Sequence, residues 1–392
     1  MKAALYEGVR TVRLVDRPVP VAGPGEAVLQ IQYCGICGTD MHVYFEGLLP
    51  PGIVLGHENV GTVAEVGPGV EGFQVGDRVV AGPPGPCGRC YQCLHGRPSI
   101  CIDGFEHTNG LRRDGGMAEY MLVRDAEQML FLIPDELSFE DAVLVDTMAT
   151  AYRGIIQSAF RLGDNIVVSG AGPIGLSAIQ FLRIGGARHI TALEIVDARK
   201  ELARELGADL VLDPTEHGDR LSERIMALHG GVGADVVVES AGVPRSFELC
   251  LTLARAGGQV LNLGVTEQTA AVAPAFIVRR ELDIKSSLGY GGGGGGQVSV
   301  LSVERQVQYK RVAVRHHPPK RPRGEGFPQA RHGQNADQGG GGPSNRVVRR
   351  GRTGPPEPGR KPAIRRASRR SCGGQGFVLE TSSKRERRGG PS

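Results

Sequence analysis

Two successive patterns of apolar and polar positions divide the first 290 residues. Residues 26–33 (EAVLQIQY) and 60–66 (VGTVAEV) alternate or run apolar, and glycine, proline and aspartate punctuate the segments around them. Such short runs bounded by turn residues are typical of strands. The pattern therefore predicts a β-rich first domain with loops, which we place at residues 1–150.

From about residue 138 the pattern changes to strands that alternate with helices. SFEDAVLVDTMATAYRGII is typical of a helix, NIVVSGAG of a buried strand with a turn, and PIGLSAIQFLRIGG of a second helix. Four more strands follow, each separated from the next by a helical segment: HITALE, DLVLD, ADVVVESAG and QVLNLGV. ELDIKSSLGY is predicted as one further strand. This alternation predicts an α/β fold with a parallel, doubly wound Rossmann sheet at residues 151–290.

A glycine-rich turn follows the first of these strands. In GAGPIG, Gly170, Gly172 and Gly175 have GxGxxG spacing, with Pro173 and Ile174 before the last glycine. The first glycine permits a tight turn, the second lets the backbone approach a pyrophosphate, and the third allows close packing of helix on strand. Such turns also occur without a ligand, so the motif alone is a weak signal. Its place between strand and helix predicts a dinucleotide site.

An acidic residue has the spacing expected of a ribose ligand. Glu194 ends the strand HITALE, 19 residues after Gly175. A carboxylate there can accept both ribose hydroxyls and repels a 2′-phosphate, which favours NAD over NADP. The alternative is a solvated acid at a strand end. Arg199 is a candidate to stack on the adenine, although a surface arginine on a helix is as plausible.

A compact cysteine cluster predicts a structural metal site. CGRCYQCLHGRPSIC has C-x2-C-x2-C-x7-C spacing, formed by Cys87, Cys90, Cys93 and Cys101. Four thiolates close a tetrahedral zinc shell and leave no open position. An iron–sulfur cluster would need its fourth cysteine after three residues and before proline, whereas Ile102 follows here. Free thiols are the remaining alternative, and in a reducing compartment disulfides are disfavoured.

A second possible metal site is dispersed along the chain. CGICGTDMH contains Cys37, and LGHENVG contains His57 and Glu58. A soft thiolate and an imidazole suit a catalytic zinc that keeps one position open. From spacing alone this site stays open, because a lone cysteine and a lone histidine are more often core residues.

Together, these motifs resemble the zinc-dependent medium-chain alcohol dehydrogenases. The resemblance rests on GHENVGTVAEVGPGV followed by VGDRV, the CGICGTD loop, the four-cysteine segment, GGMAEY and GAGPIG, and it covers roughly residues 1–290. It implies a GroES-like β-rich catalytic domain, a Rossmann cofactor domain and an active site in the cleft between them. It also implies a homo-oligomer, if the fold is complete.

The resemblance also implies site residues. It makes Cys37 and His57 catalytic zinc ligands and Asp146 the third ligand, with Glu58 as the rival, either as an alternate ligand or as a neighbour of the ligands. The implied reaction is hydride transfer from a small secondary alcohol or polyol to NAD. Which alcohol or polyol serves as substrate is not determined by the sequence.

A proton relay is expected beside this site. Thr39 offers a hydroxyl two residues from Cys37, and His42 follows in the same loop to pass the proton outward. Two simpler roles stand beside the relay. Thr39 could be the N-cap of a helix that begins at TDMH, and His42 could be a surface histidine.

Charge separates the last 102 residues from the rest. Residues 1–290 contain 24 Lys and Arg against 36 Asp and Glu, whereas residues 291–392 contain 22 against 6. Only 14 residues of this second segment are Leu, Ile, Val or Phe, which predicts a disordered basic tail. No apolar run reaches the length of a signal peptide or membrane span, so we expect a cytoplasmic protein without membrane contact.

Six consecutive glycines, Gly291–Gly296, begin this tail and are either a linker or the scar of a shifted reading frame. We favour the frame-shift, because the family's chain normally returns here to the catalytic domain, whereas Arg, Gly and Pro dominate this tail. The rival is a basic tail that binds nucleic acid non-specifically. Its three aromatic residues, Tyr309, Phe327 and Phe377, lie in no repeated motif. The alternative function is therefore an inactive or damaged dehydrogenase-like protein with a nucleic-acid-binding tail.

Overall fold

The computed structural model describes residues 1–82, 85–218 and 220–290. The predicted tail at 291–392, with its linker, frame-shift and nucleic-acid interpretations, lies outside the described residues. Within them, no helix combines the length and the apolar character that crossing a membrane requires.

Antiparallel sheets dominate the first half of the chain. Its strands are Lys2–Gly8 (β1), Thr11–Asp16 (β2), Ala27–Gly35 (β3), Ile53–Val54 (β4), Glu58–Val66 (β5), Arg78–Ala81 (β6), Tyr120–Val123 (β7) and Leu130–Leu132 (β8). One sheet has the order β7-β3-β5-β6-β8 and another the order β2-β1-β4. The two predicted strands, now β3 and β5, pair antiparallel with Ala27 opposite Val66 and Gly35 opposite Glu58.

The helices of this half are short, except for the last. They are Gly38–Glu46 (α1), Tyr91–Leu94 (α2), Ala126–Met129 (α3), Phe139–Ala142 (α4) and Val145–Ile156 (α5), with 3₁₀ turns at Pro98–Ile100 and Phe105–His107. The single helix predicted from residue 138 is thus two helices. Leu144, between them, has ψ −7°, whereas α-helical residues have ψ near −42°.

A parallel sheet organises the second half. Its strands are Asn165–Ser169 (β9), His189–Leu193 (β10), Leu210–Leu212 (β11), Ala234–Glu239 (β12), Ala254–Asn262 (β13) and Asp283–Ser286 (β14). Its helices are Pro173–Ile184 (α6), Asp197–Glu205 (α7), Pro214–His217 (α8), Arg220–Leu228 (α9), Pro244–Leu253 (α10) and Pro274–Arg280 (α11). The order β11-β10-β9-β12-β13-β14 is that of a Rossmann fold, so the predicted sheet is confirmed.

The strands of this sheet are buried on both faces. Ile166 and Val168 of β9 pack with Ile179 of α6 in one apolar cluster. Val167, between them, belongs to a second cluster with Leu251 of α10. Covering both faces explains why these strands are nearly continuous apolar runs. It also leaves the carboxyl ends of β9 and β10 as the edge where ligands bind in such sheets.

The end of the predicted strand ELDIKSSLGY differs from expectation. The strand β14 stops at Ser286, and the four residues that follow lie beyond the sheet ladder. The helix α11 precedes it and was not predicted.

His229 is an uncompensated buried histidine in this half. It is 5% exposed, and within the described ranges neither of its ring nitrogens has a hydrogen-bond partner. Its ring centroid lies 5.7 Å from that of His189. Burial lowers the pKa of His229, and His189 lowers it further, while Asp235 opposes both.

We therefore expect acid to destabilise the fold through His229. Because the pKa of His229 is lower in the folded chain, the unfolded chain binds the proton first as the pH falls below 6.5. Urea unfolding from about pH 7 to pH 5 should show a smaller loss of stability for His229→Leu than for the wild type. His217→Leu, in the same half, is the control and should retain the wild-type slope. Equal slopes for wild type and His229→Leu would contradict this account.

Candidate functional site

Cys37 lies at the junction of β3 and α1. It is the N-cap of α1, with extended backbone at φ −79° and ψ 159°. Its N–H donates to Asp40 Oδ2 at 2.9 Å, which fixes the first turn. The N-cap role considered for Thr39 is therefore wrong. Thr39 is the second residue of the helix, and its hydroxyl lies 3.8 Å from Cys37 Sγ.

The start of β5 brings His57 and Glu58 to the same place. Because Gly35 and Glu58 are opposite each other in the ladder, the Glu58 side chain lies over the glycine. A Cβ at Gly35 would lie 2.1 Å from Glu58 Oε2, so no larger residue fits there. The ligand atoms of Cys37, His57 and Glu58 all lie within 4.8 Å of one another.

Asp40 supports His57 from the other side. Asp40 Oδ1 lies 3.7 Å from His57 Nδ1, and neither buried atom has a hydrogen-bond partner among residues 1–82, 85–218 and 220–290. A carboxylate beside Nδ1 favours the tautomer that leaves Nε2 free to bind a metal. The sequence offered one signal for Asp40, its place three residues after Cys37 in the same motif.

Asp146 lies beside the three-residue group and outside it. It occupies the first turn of α5, and its Oδ1 accepts a hydrogen bond from Tyr290 at 2.7 Å. Glu58 accepts a longer hydrogen bond, 3.4 Å, from Thr147. The geometry thus joins Glu58, and not Asp146, to Cys37 and His57. The sequence-based interpretation ranked these two carboxylates in the opposite order.

Burial governs the electrostatics of this pocket. Burial raises the pKa of Cys37, and the negative charge of Asp146 raises it further. Burial also raises the pKa of Glu58, to which the charges of Cys37 and Asp146 add. The pKa of Asp40 is likewise raised by burial, against the opposing effect of His57. Groups that resist ionisation in isolation are suited to share a cation, which reverses these effects.

The donor set fits zinc. A thiolate, an imidazole and a carboxylate are the ligands zinc takes at bond lengths of about 2.0–2.3 Å. Three donors whose atoms lie within 4.8 Å of one another can surround such an ion and leave one position open.

The four-cysteine lobe forms a second metal-sized cluster. The Sγ atoms of Cys87, Cys90, Cys93 and Cys101 lie within 4.8 Å of one another. Cys93 donates its N–H to Cys90 Sγ at 3.5 Å, and Cys87 donates to Cys101 Sγ at 3.3 Å. The backbone N–H groups of Cys93 and Ile102 lower the pKa of Cys90 to about 6. Four thiols supported in this way fit a closed zinc site.

The glycine turn has the shape its spacing predicts. Gly170 has φ +92°, and a Cβ at Gly175 would lie 1.9 Å from Gly170 O. Gly172 is the N-cap of α6, with Pro173 and Ile174 in the first turn of that helix. A Cβ at Gly172 would meet nothing within 4 Å. The helix N-terminus is therefore open on the side from which a phosphate would approach.

Glu194 connects β10 to this turn. It is 5% exposed, and its Oε2 accepts the N–H of Ala171 at 2.9 Å. Its Oε1 accepts the N–H groups of Ile195 and Val196. A carboxylate has about four acceptor positions, so capacity for a ribose hydroxyl remains. Arg199 Nη1 lies 3.9 Å from Glu194 Oε2, at the edge of ion-pair distance.

The structure places His42 one turn after Thr39 on α1. Its Nδ1 lies 3.2 Å from Glu46 Oε1, and its side chain is half-buried. Tyr290 and Thr147 were missed as site residues. The contact of Tyr290 with Asp146 spans 144 residues, so no local pattern could have indicated it.

Comparisons with known proteins agree with this arrangement. Residues 23–135 match the family model described as the alcohol dehydrogenase GroES-like domain, and residues 173–299 match the model described as zinc-binding dehydrogenase. The chain is 33% identical over 291 residues to sorbitol dehydrogenase of Bacillus subtilis, which covers 72% of this chain and 81% of that protein.

Solved structures show the same fold. A zinc-binding dehydrogenase from Sinorhizobium meliloti 1021, bound to NADP, is 31% identical with a TM-score of 0.71, covering 79% of this chain and 90% of that one. A short chain alcohol dehydrogenase from Escherichia coli CFT073, complexed with NADH, is 27% identical with a TM-score of 0.72 and the same coverage of 79% and 90%.

The two glycines of the turn should respond differently to the same substitution. Gly175→Ala should destabilise the chain by about 1–3 kcal/mol, because its Cβ would overlap the Gly170 carbonyl. Gly172→Ala should change stability by less than about 0.5 kcal/mol, since its Cβ enters open space. Urea unfolding of both variants checks this pair. Equal destabilisation would show that the turn is not packed as described.

Proposed function

The chain belongs to the zinc-dependent alcohol dehydrogenase family, and on that premise we propose that it oxidises a small secondary alcohol or polyol with NAD. The observation that carries this proposal is the meeting of Cys37, His57 and Glu58 within 4.8 Å at the junction of β3, α1 and β5. The sorbitol dehydrogenase relative supports a polyol as one substrate class.

Two zinc ions have separate places in this proposal. Cys37, His57 and Glu58 hold the catalytic ion, with Asp146 beside them as a fourth acidic group. Cys87, Cys90, Cys93 and Cys101 hold a structural ion in the closed lobe. When bound, the catalytic zinc lowers the pKa of a substrate hydroxyl and the nicotinamide accepts a hydride.

Thr39 and His42 carry the proton in this proposal. The Thr39 hydroxyl, 3.8 Å from Cys37 Sγ, accepts the proton that leaves the substrate and donates its own towards solvent. His42 is the next proton acceptor along α1, and Glu46 orients its ring from 3.2 Å. The order from buried threonine to half-buried histidine supports an outward path.

The glycine turn and Glu194 hold the cofactor in this proposal. The pyrophosphate lies at the N-terminus of α6 beside Gly172, and Glu194 accepts the ribose hydroxyls. The charge of Glu194 supports NAD as the cofactor, although solved relatives include one with NADP and one with NADH. Arg199 covers the adenine in this arrangement.

Domain boundaries and cellular setting complete the proposal. Residues 1–150 form the catalytic domain and residues 151–290 the cofactor domain, and the chain assembles as a homo-oligomer. A cytoplasmic location suits the lobe, because its four cysteines are free thiols and a reducing compartment keeps them so.

Removing one ligand should separate the two metal sites. Cys37→Ala should lower bound zinc from about two ions per chain to about one, because the lobe keeps its own. Alcohol-dependent NADH formation should fall by more than about 100-fold, since losing even an outer partner of a ligand costs 10–100-fold. Metal analysis and absorbance at the NADH band measure both.

Cys34→Ala is the matched control, because Cys34 lies three residues away and outside the ligand group. It should retain both ions and measurable turnover. Unchanged zinc content and turnover in Cys37→Ala would remove the proposed catalytic site.

Neutralising Glu194 should change cofactor preference. Glu194→Gln keeps one acceptor oxygen for the glycine turn but loses the charge that repels a 2′-phosphate. The ratio of kcat/KM with NAD to that with NADP should fall by roughly tenfold or more, where tenfold corresponds to 1.4 kcal/mol. Glu201→Gln, an exposed acid on α7, should leave the ratio unchanged. A wild-type ratio in Glu194→Gln would assign NAD preference to other residues.

A further inference from the structure

The four residues after β14 are fastened to α5 at two points. Arg153 Nη1 donates to Ser287 Oγ at 3.0 Å and to the Leu288 carbonyl at 3.3 Å. Tyr290 donates its hydroxyl to Asp146 Oδ1 at 2.7 Å. Residues seven apart lie on the same face of a helix, two turns from each other. The segment 287–290 therefore lies along one face of α5 and ends at Asp146.

The Tyr290 ring is held rigidly. It is 1% exposed and belongs to the same apolar cluster as Val145 and Met148, which flank Asp146 on α5. Packing thus fixes the ring, and the hydroxyl has a defined direction. A buried phenol needs a polar partner, and a hydrogen bond to a carboxylate is stronger than one to a neutral acceptor.

Asp146 is close enough to the proposed zinc ligands to act on them. Its charge contributes to the raised pKa of Cys37 and of Glu58, after the larger effect of burial. Its carboxylate also feels the charge of His57. A negative group held at this distance strengthens the binding of a divalent cation by the other three.

We propose that Tyr290 is a positioning residue for the catalytic metal: its hydroxyl holds the Asp146 carboxylate against the Cys37, His57 and Glu58 group, and metal retention depends on that hold. This inference rests on the proposed function, since it needs zinc at that group. It gives the last described residue of the second half a role in a centre whose other parts come from the first half. Tyr290 directly precedes Gly291, so the metal centre extends to the edge of the glycine tract.

The test measures metal affinity rather than turnover. In the full-length protein with its lobe zinc in place, Tyr290→Phe removes the hydroxyl and keeps the ring. Chelator competition should show zinc held about tenfold more weakly at the catalytic site, the lower end of the 10–100-fold effect of outer partners. With Co²⁺ at that site, the visible ligand-field spectrum should shift. Tyr6→Phe, a tyrosine equally buried at 1% but outside the site, should change neither readout.

A double substitution separates positioning from general packing. If Tyr290 acts through Asp146, Tyr290→Phe should weaken zinc binding by less than about twofold further in an Asp146→Asn background, because coupled residues are not additive. Tyr290→Leu provides a second variant without the hydroxyl, should Tyr290→Phe fail to fold.

Three results would overturn the inference. Wild-type zinc affinity and cobalt spectrum in Tyr290→Phe would do so while the proposed function stands. An equal loss with and without Asp146 would show a packing effect and not positioning. A wild-type chain that binds only the lobe metal would remove the proposed function and this inference together.

Discussion

Desolvation of acidic groups around His57 is the constraint on which the candidate site depends. Four such groups share one poorly solvated pocket: Cys37, Asp40, Glu58 and Asp146. Burial raises the pKa of each, because a charge removed from water is costly unless it is paired or coordinated. A pocket of this kind favours a divalent cation over any neutral occupant, which is the physical basis of zinc chemistry here.

The backbone around this pocket is shaped to bring the side chains together. The β3 and β5 pairing places Gly35 under Glu58, and only a residue without Cβ leaves room for that carboxylate. The first turn of α1 holds Cys37 through Asp40, whose other oxygen lies beside His57. One hairpin and one helix start therefore position most of the metal centre.

The helix α5 connects the metal centre to the cofactor half. It carries Asp146 in its first turn, and its Met148 shares an apolar cluster with Ile179 of α6. The helix α6 in turn begins at Gly172, where the phosphate site is proposed. The same packed pair of helices thus supports both partners of the hydride transfer, and the Tyr290 contact ties β14 to it.

The sequence by itself determined the features whose information is contiguous: the parallel sheet, the glycine turn and the four-cysteine lobe. Strand periodicity, GxGxxG spacing and cysteine spacing each lie within a short segment, so local geometry follows from them. Only the tertiary structure decided that Glu58 joins Cys37 and His57, and that Tyr290 holds Asp146. Those choices depend on strand register and on side-chain directions between residues far apart in the chain, which no local pattern records.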